Sequence, residues 1–542
     1  MKWKKVVSLL FVAGLFLAAC GNSATTTMKS KSTKQEIAVS TPGELSTLDS
    51  AQYTDVNSSD MIGQISEGLY RSGKDGNPEL AMAKEDPKVS EDGLTYTFKL
   101  REAKYSDGTP VRAQDFVYAF QNVVDPKTTS SSSHRMDIFK NGEKIRNGEL
   151  PVDQLGVKAL DDQTLELDLV APAPFLSEIL TGTPFMPKQE KFASEKGKAY
   201  GTSADNFVGN GPFVIKGWDG NNESWTLEKN PTYWDAKNVK LKKVKVQVVK
   251  EIATGVNLFS DGQLDYTTLS DVYAQNNQDN KLAHFVPKAM VGYISANHKR
   301  SVTGNLHVRQ AILQAINKKS YTKNVLSDGS QPLNGFVPTN FAKNPETGED
   351  YRKEAGDLMP YDLKATQKNW ELAKKELGKD EIELELLASD TATSKKTVEF
   401  LQGQLQQNLP GLKIDIKNVP LQNRLDLQDK SEFDLVYGTW TPDYADPINF
   451  LEFYDSTGGL NSSGYANKAY DAGLEEARTT LAKDPAKRWN KLIEMEKQLV
   501  EKDTAVLPFY QGSVAYLKSE RLHGLQVFPF GRTVSYRLAY VK

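Results

Sequence analysis

Short alternating segments and amphipathic helical segments follow one another along most of this chain. In residues 94–100 and 164–170, every second residue is apolar, and this period of two predicts half-buried strands. Residues 241–249 repeat the pattern in the middle of the chain. Between residues 113 and 124, apolar residues recur every three or four positions, which predicts a helix with one buried face. A similar apolar stripe predicts a second helix at residues 308–317.

The last third of the chain continues with helices and strands in alternation. A helix is predicted at Leu363–Leu377, with Asp362 at its N-cap and Gly378 at its end. The sequence then predicts these further elements: strands at 382–386, 412–419 and 433–440, and helices at 398–409 and from Asp484-Pro485 onward. This alternation predicts an α/β fold, although periodicity does not tell which strands pair.

Length and composition limit the possible classes of protein. A chain of 542 residues is longer than one hydrophobic core normally supports, so at least two lobes are expected. Hydrophobic residues make up 39% and charged residues 25%, as in globular proteins. Lys and Arg total 67 against 70 for Asp and Glu, so we expect no nucleic-acid partner. With one cysteine and five dispersed histidines, no metal site or cofactor is expected.

The N-terminus has the pattern of a secretion signal. Three lysines within the first five residues precede an apolar run at residues 6–19. This run is too short to cross the roughly 30 Å hydrocarbon layer of a membrane as a mature helix. The pattern predicts a signal peptide at residues 1–19.

The single cysteine, Cys20, follows directly after that apolar run, and the sequence Leu-Ala-Ala-Cys resembles the lipobox of bacterial lipoproteins. The resemblance implies cleavage before Cys20 and attachment of acyl chains to its thiol. The alternative is an ordinary secretion signal that happens to end at a cysteine. Residues 20–35 lack apolar periodicity and are predicted to be a flexible tether. We therefore expect a folded body outside the cell, held to the cell membrane by lipid.

Residues 90–124 read SEDGLTYTFKLREAKYSDGTPVRAQDFVYAFQNVV. This segment resembles the signature region of the peptide-binding family of bacterial extracellular solute-binding proteins, family 5, which serve ABC importers. Further blocks resemble the family in the same order along the chain: residues 157–169, 210–218, 228–234 and 433–450. The chain resembles in particular the lipid-anchored oligopeptide-binding proteins of Gram-positive bacteria.

The resemblance implies an α/β, two-lobed periplasmic-binding-protein-like clamp with an extra subdomain and two hinge strands. The expected division places lobe 1 at residues 36–85, 206–300 and 503–542, the extra subdomain at 86–205, and lobe 2 at 301–502. The lobes are expected to close on an extended oligopeptide, which adds to the protein as a strand. The family's role implies a monomer that delivers its ligand to the permease subunits of an ABC transporter.

Asp443 is the residue on which the resemblance bears most directly. In the family, the acidic residue at this place accepts hydrogen bonds from the free α-amino group of the peptide. A charge-assisted bond of this kind also fixes the register of the ligand. The alternative is an aspartate that stabilises a turn, and Asp446, directly before Pro447, is a nearby competitor with a structural pattern.

The resemblance also assigns other residues to the cleft: Trp440, Tyr437, Gly438, Thr439, Ser58, Ser59, Tyr293 and Asn297. For the aromatic residues, packing in the core is the alternative. The chain also departs from the family. Tyr437 and Ser394 stand where members that grip short peptides carry cations for the ligand's carboxylate. A fixed anchor for the ligand's C-terminus is therefore doubtful, which favours longer or variable peptides.

Other classes of function find less support in the sequence. An enzyme is not expected, because HExxH, GxSxG and Walker motifs are missing and a lone SxxK at Ser320–Lys323 arises by chance. A receptor of the same fold for a nickel chelate, haem or an oligosaccharide would not need an acidic anchor. A receptor for a signalling peptide, or a surface chaperone or adhesin, stays open as an alternative.

Overall fold

The computed structural model describes residues 34–73, 76–458 and 460–542. The predicted signal peptide, the predicted lipid site Cys20 and the predicted tether up to residue 33 lie outside these residues. Gln35, assigned to the tether, instead belongs to the folded body. Its side chain donates to the carbonyl oxygen of Val541 at 2.8 Å and accepts from the Val541 amide at 3.0 Å. Gln35 is therefore held against the C-terminal strand Tyr540–Val541.

In the described part of the chain, a mixed sheet of eleven strands runs through both lobes. Its strands lie in this order: Leu412–Val419, Ile382–Ser389, Leu435–Trp440, Ala283–Ala296, Val506–Lys518, Tyr266–Leu269, Glu36–Thr41, Lys243–Val248, Ser224–Lys229 and Phe213–Lys216, with Gln331–Pro332 added beside Val506–Lys518. The first three strands are mutually parallel, as expected where strands alternate with covering helices.

Two long antiparallel strands, Ala283–Ala296 and Val506–Lys518, connect the two lobes. The first half of Ala283–Ala296 lies in the part of the sheet that contains Tyr266–Leu269. Its second half pairs with Leu435–Trp440 in the other lobe. The register between the two long strands shifts at two places near their middle. Such irregularities let a strand pair bend, and the two expected hinge strands are confirmed.

Buried apolar residues of the described ranges gather in separate cores, three of them large. The N-terminal lobe core includes Val39, Trp225, Val244, Tyr266 and Tyr536. The subdomain core includes Phe98, Phe116, Phe120, Phe139 and Phe185. The C-terminal lobe core includes Val291, Ile312, Trp370, Leu384 and Leu492. Because the subdomain core also contains Leu69 and Met82, its packing extends beyond the predicted range of 86–205. The other predicted boundaries stay predictions.

The subdomain is built on a four-stranded antiparallel sheet. Its strands lie in the order Lys88–Val89, Thr95–Lys99, Thr164–Asp168 and Val157–Asp161. The helix Ala113–Val124 has the predicted bounds and packs its apolar face on this sheet. Smaller strand pairs complete the N-terminal lobe: Tyr70–Ser72 with Pro78–Leu80, Leu522–His523 with Tyr540–Val541, and Gln526–Val527 with Val534–Ser535.

The helices of the C-terminal lobe follow the predicted start and stop residues closely. Leu363–Leu377 has the predicted bounds, with the Asp362 carboxylate accepting from two backbone amides and Gly378 in a left-handed conformation. Pro485–Lys497 begins at the predicted Asp-Pro pair. Ala392–Asn408 begins six residues before the predicted position, because Thr391 caps a polar first turn without apolar periodicity. The predicted helix at 308–317 is Leu306–Ala315.

The remaining α-helices are short and connect these elements. They are Val56–Ile65, Gly142–Arg146, Leu176–Ile179, Glu190–Lys196, Ile252–Ser260, Asp271–Asn276, Lys318–Tyr321, Tyr351–Ala355, Leu421–Asp429, Ile448–Leu451 and Lys468–Arg478. Among the described residues, no helix has both the length and the apolar character that a bilayer span requires.

Candidate functional site

The candidate site centres on the strand Leu435–Trp440 and the turn that follows it. On one side, the whole strand pairs with Ala283–Ala296. On the other side, pairing with Ile382–Ser389 involves only its first two residues. From Tyr437 onward, this edge of the strand is not covered by another strand of the described residues. An uncovered strand edge can pair with the main chain of an extended ligand.

Arg424 and Gly438 shape the beginning of that uncovered edge. Arg424, on the helix Leu421–Asp429, donates from Nη1 to the carbonyl oxygen of Tyr437 at 3.3 Å. A Cβ atom added to Gly438 would lie 3.2 Å from both Arg424 Nη1 and the Tyr293 hydroxyl. A side chain at position 438 would therefore crowd Arg424 and Tyr293.

Asp443 lies three residues beyond the end of the strand, on a turn with a fixed backbone. Its amide donates to Asn449 Oδ1 at 2.8 Å. Its side chain is 40% exposed, and one carboxylate oxygen accepts a hydrogen bond from Arg135 Nη2 at 2.8 Å. A partly exposed carboxylate on a rigid turn is suited to accept hydrogen bonds from an incoming cation.

Asp446, the competing aspartate, has a different environment. Both of its oxygens accept from Arg488, at 2.7 and 2.9 Å, and the pair is buried. Asp446 Oδ1 also accepts from the amide of Ile448 at 2.9 Å, at the start of the helix Ile448–Leu451. These contacts occupy the carboxylate, so Asp446 has the structural role that its position before Pro447 predicts.

A polar cavity of about 280 Å³ lies beside Asp443. Ser59 and Thr183 line it from the N-terminal lobe and the subdomain, with their hydroxyls 2.8 Å apart. Arg532, near the C-terminus of the chain, lines the same cavity. The structure thus brings together two residues predicted for the site, Ser59 and Asp443, from different lobes.

A second, more apolar cavity of about 420 Å³ lies on the other side of Asp443. Its lining includes Phe175 and Tyr444, whose rings stack with centroids 4.7 Å apart. Arg135 lines both cavities. The ion pair of Arg135 with Asp443 therefore stands between a polar and an apolar space.

Ser58 and Ser59 are neighbours in sequence but have different environments. Ser58 is fully buried near the start of the helix Val56–Ile65, and its amide and hydroxyl both donate to Asp55, at 2.8 Å each. These bonds cap the helix. The side chain of Ser58 therefore supports the site from behind, and Ser59 faces the cavity.

The side chains of Tyr437, Tyr293 and Asn297 are buried. In this structure they pack inside the protein, which was the alternative to a position in the cleft. The hydroxyl of Tyr437 lies 3.0 Å from that of Tyr510 inside the C-terminal lobe. Asn297 Nδ2 donates to the carbonyl oxygens of Ser431 and Phe433, at 2.9 and 3.0 Å. Ligand contact by these side chains stays a prediction, and the polar groups of Tyr437 and Asn297 already have partners in the protein.

Trp440 is partly buried against Phe453, and its indole Nε1 has no hydrogen-bond partner among the described residues. The same holds for Nε of Arg135 and Nε of Arg424. Buried polar groups are normally satisfied, so a group of unpaired ones around the uncovered edge marks a place where a polar ligand could bind. Thr439, between Gly438 and Trp440, is exposed on that strand.

Arg532, which lines the polar cavity, lies close to the buried carboxyl group of Asp60. Burial raises the pKa of Asp60 to about 7, although a hydrogen bond from the backbone amide of Thr533 and the positive charge of Arg532 both act to lower this pKa. Burial also lowers the pKa of Arg532, which donates to the carbonyl oxygen of Gly63 at 3.1 Å. Across the described ranges, no three His, Cys, Asp or Glu side chains are arranged to hold a metal ion.

Sequence reasoning missed Arg135, Arg424 and Thr183. Arg135 follows a run of serines without periodicity, and 308 residues separate it from Asp443. No local pattern in the sequence signals such a contact. Arg424 lies close to the predicted site in sequence, but it is one charged residue on an exposed polar helix.

Comparison with known proteins gives one family. Residues 77–462 match the bacterial extracellular solute-binding proteins, family 5. The "Dipeptide-binding protein" of Lactococcus lactis subsp. cremoris is 34% identical to this chain over 561 aligned positions, which cover 100% of each.

Solved structures give the same result. A Listeria monocytogenes OppA bound to peptide is 41% identical, with 94% of this chain and 99% of that chain covered and a TM-score of 0.72. The periplasmic murein tripeptide binding protein MppA, in its unliganded open form, is 27% identical. The match covers 94% and 97% of the two chains, with a TM-score of 0.80. The overall arrangement is thus more similar to this unliganded open structure than to that peptide-bound one.

Proposed function

Because the chain belongs to the bacterial extracellular solute-binding proteins of family 5, we propose that it captures oligopeptides in extended form and delivers them to the permease of an ABC importer. Relatives that bear peptide-binding names and a similar structure with bound peptide support this proposal. The protein binds and releases its ligand without changing it chemically.

One observation carries the proposal: the uncovered edge of the strand Leu435–Trp440 leads directly to the partly exposed carboxylate of Asp443. A peptide that pairs with this edge uses its main-chain amides, which every peptide has. Its terminal ammonium group then meets Asp443. Recognition of these common groups accounts for a binding protein that accepts many sequences, because the side chains of the ligand contribute less.

The two lobes act as a clamp around this edge. The strands Ala283–Ala296 and Val506–Lys518 bend at their irregular middle, so that the N-terminal lobe and subdomain approach the C-terminal lobe. Ser59 from the first lobe and Asp443 from the second then enclose the start of the peptide. Closure removes water from the ammonium–carboxylate contact and strengthens it.

The protein acts as a monomer at the outer face of the cell membrane, anchored by lipid on Cys20. The sequence before Cys20 supports the anchor. In a Cys20→Ala variant, we expect the protein in the medium or as an unprocessed precursor, measured by fractionation and mass spectrometry. Processed, lipid-modified protein in this variant would contradict the anchor.

Native mass spectrometry of the protein as purified tests the class of ligand. We expect a set of bound masses that match peptides and disappear on denaturation. A single bound nickel chelate, haem or oligosaccharide would instead favour a receptor of the same fold for a different ligand.

A further inference from the structure

The contact of Arg135 with Asp443 joins two distant parts of the molecule. Arg135 lies in the 3-10 turn Ser133–Ile138 of the subdomain, and Asp443 lies on the turn of the C-terminal lobe. The contact therefore crosses the cleft that a peptide has to enter. It occupies the carboxylate to which the proposed function assigns the ligand's ammonium group.

The pair is built differently from the structural ion pairs of this protein. Arg488 and Asp446 share two hydrogen bonds, and Arg488 Nε donates in addition to the carbonyl oxygen of Ala477. Arg135 reaches Asp443 through Nη2 alone, and its Nε has no partner among the described residues. Its side chain is 29% exposed and that of Asp443 is 40% exposed. A single-point contact open to solvent is weak and exchangeable.

The surroundings of the pair leave room for exchange. Arg135 and Asp443 line both the polar cavity of about 280 Å³ and the apolar cavity of about 420 Å³. Both cavities therefore border the carboxylate that Arg135 occupies. The overlap with the unliganded open MppA also exceeds that with the peptide-bound OppA, with TM-scores of 0.80 and 0.72.

From these observations we propose that Arg135 is an internal competitor for the ammonium site. In the ligand-free protein, its guanidinium group neutralises Asp443, and a peptide binds by displacing it. This inference rests on the proposed function, because it assumes that Asp443 receives the peptide's amino group. Arg135 thereby lowers the affinity for all peptides with a free amino group.

The size of the effect follows from the exposure of the pair. Exposed ion pairs shift an equilibrium by up to about fivefold, and a competing internal contact reduces the apparent affinity by the same factor. Removal of the competitor should therefore tighten binding of free-amine peptides by about two- to fivefold. N-acetylated peptides, which do not need the carboxylate, should change by less.

The test compares the full-length mature protein with its Arg135→Gln variant by titration calorimetry. The probes are penta-alanine and N-acetyl-penta-alanine. Arg135→Lys keeps the positive charge and should retain part of the competition. Lys127→Ala removes an exposed cation elsewhere on the subdomain and controls for net charge. Thermal unfolding checks that each variant is folded.

The proposal expects tighter binding of penta-alanine to Arg135→Gln, unchanged binding to Lys127→Ala, and no gain from Arg135→Gln in an Asp443→Asn background. Unchanged or weaker binding of penta-alanine to Arg135→Gln would overturn it, as would an equal gain for the acetylated probe. The two failures are distinguishable. If Asp443→Asn alone leaves the preference for the free amine intact, the role assigned to Asp443 is wrong, whatever Arg135 does.

Discussion

Replacement of Asp443 with Asn tests the ammonium anchor with little change of shape. A hydrogen bond between charged groups contributes about 1.5–3 kcal/mol, which corresponds to roughly a ten- to 150-fold change in affinity. Asp443 is 40% exposed and already paired with Arg135, and both facts reduce the net gain on binding. We therefore expect about a tenfold loss of affinity for free-amine peptides in Asp443→Asn, at the lower end of that range.

The assay is titration calorimetry at pH 7 with one peptide in free and N-acetylated form. The acetylated form should bind the variant and the unmodified protein within about twofold, because it carries no ammonium group for the carboxylate to bind. A variant that weakens both forms equally would refute the reasoning, since the loss would then come from altered structure. Equal affinity of the two forms for the unmodified protein would refute it as well.

Three further predictions address the supporting structure. Asp446→Asn breaks the buried pair with Arg488 and should lower the free energy of unfolding by about 3 kcal/mol. The ratio of the affinities for free-amine and acetylated peptides should stay the same. An altered ratio at unchanged stability would assign Asp446 to the site. Burial and the nearby Arg309 lower the pKa of His298 to about 4. In the unfolded chain His298 has a higher pKa, so its neutral form stabilises the fold above about pH 6.5, and this contribution to the free energy of unfolding is lost as the pH falls toward 4. Denaturant titrations should show a weaker dependence of the free energy of unfolding on pH for His298→Gln. An identical pH dependence would contradict this. A peptide N-methylated at an amide that pairs with the strand edge should bind at least about threefold more weakly than the unmodified peptide, and equal calorimetric affinities for every methylated position would argue against strand addition.

The regular parts of the fold follow from local sequence patterns. The helices Ala113–Val124 and Leu363–Leu377 have the predicted bounds, because an apolar stripe marks the buried face of each and cap residues also mark the ends of Leu363–Leu377. The strand Leu412–Val419 is likewise as predicted. Patterns of this kind depend only on neighbours along the chain.

The hinge cannot be predicted from local sequence patterns in the same way. The strand Ala283–Ala296 contains Pro287 and Gly292, which interrupt the alternation of apolar and polar residues. These interruptions mark the place where the strand departs from regular pairing, so the feature that makes it a hinge also hides it from a periodicity search. The two hinge strands were predicted from the family resemblance and not from the pattern.

The candidate site also has a part that could be predicted from the sequence and a part that could not. The resemblance singled out Asp443, and the structure explains why Asp446 is different, since only the latter has a buried arginine partner. Arg135 could not be predicted, because its contact with Asp443 depends on how the subdomain and the C-terminal lobe pack. The choice between Ser58 and Ser59 also required the helix position, which decides which hydroxyl faces the cavity.

The account rests on recognition of main-chain amides and a terminal ammonium group. A calorimetric panel tests this most directly: several free-amine peptides of one length and unrelated sequence, with a nickel chelate, haem and an oligosaccharide as comparison ligands. The account predicts measurable binding of most peptides within a narrow range of affinities and no binding of the other ligands. Tight binding of one comparison ligand, with no heat from any peptide, would contradict it.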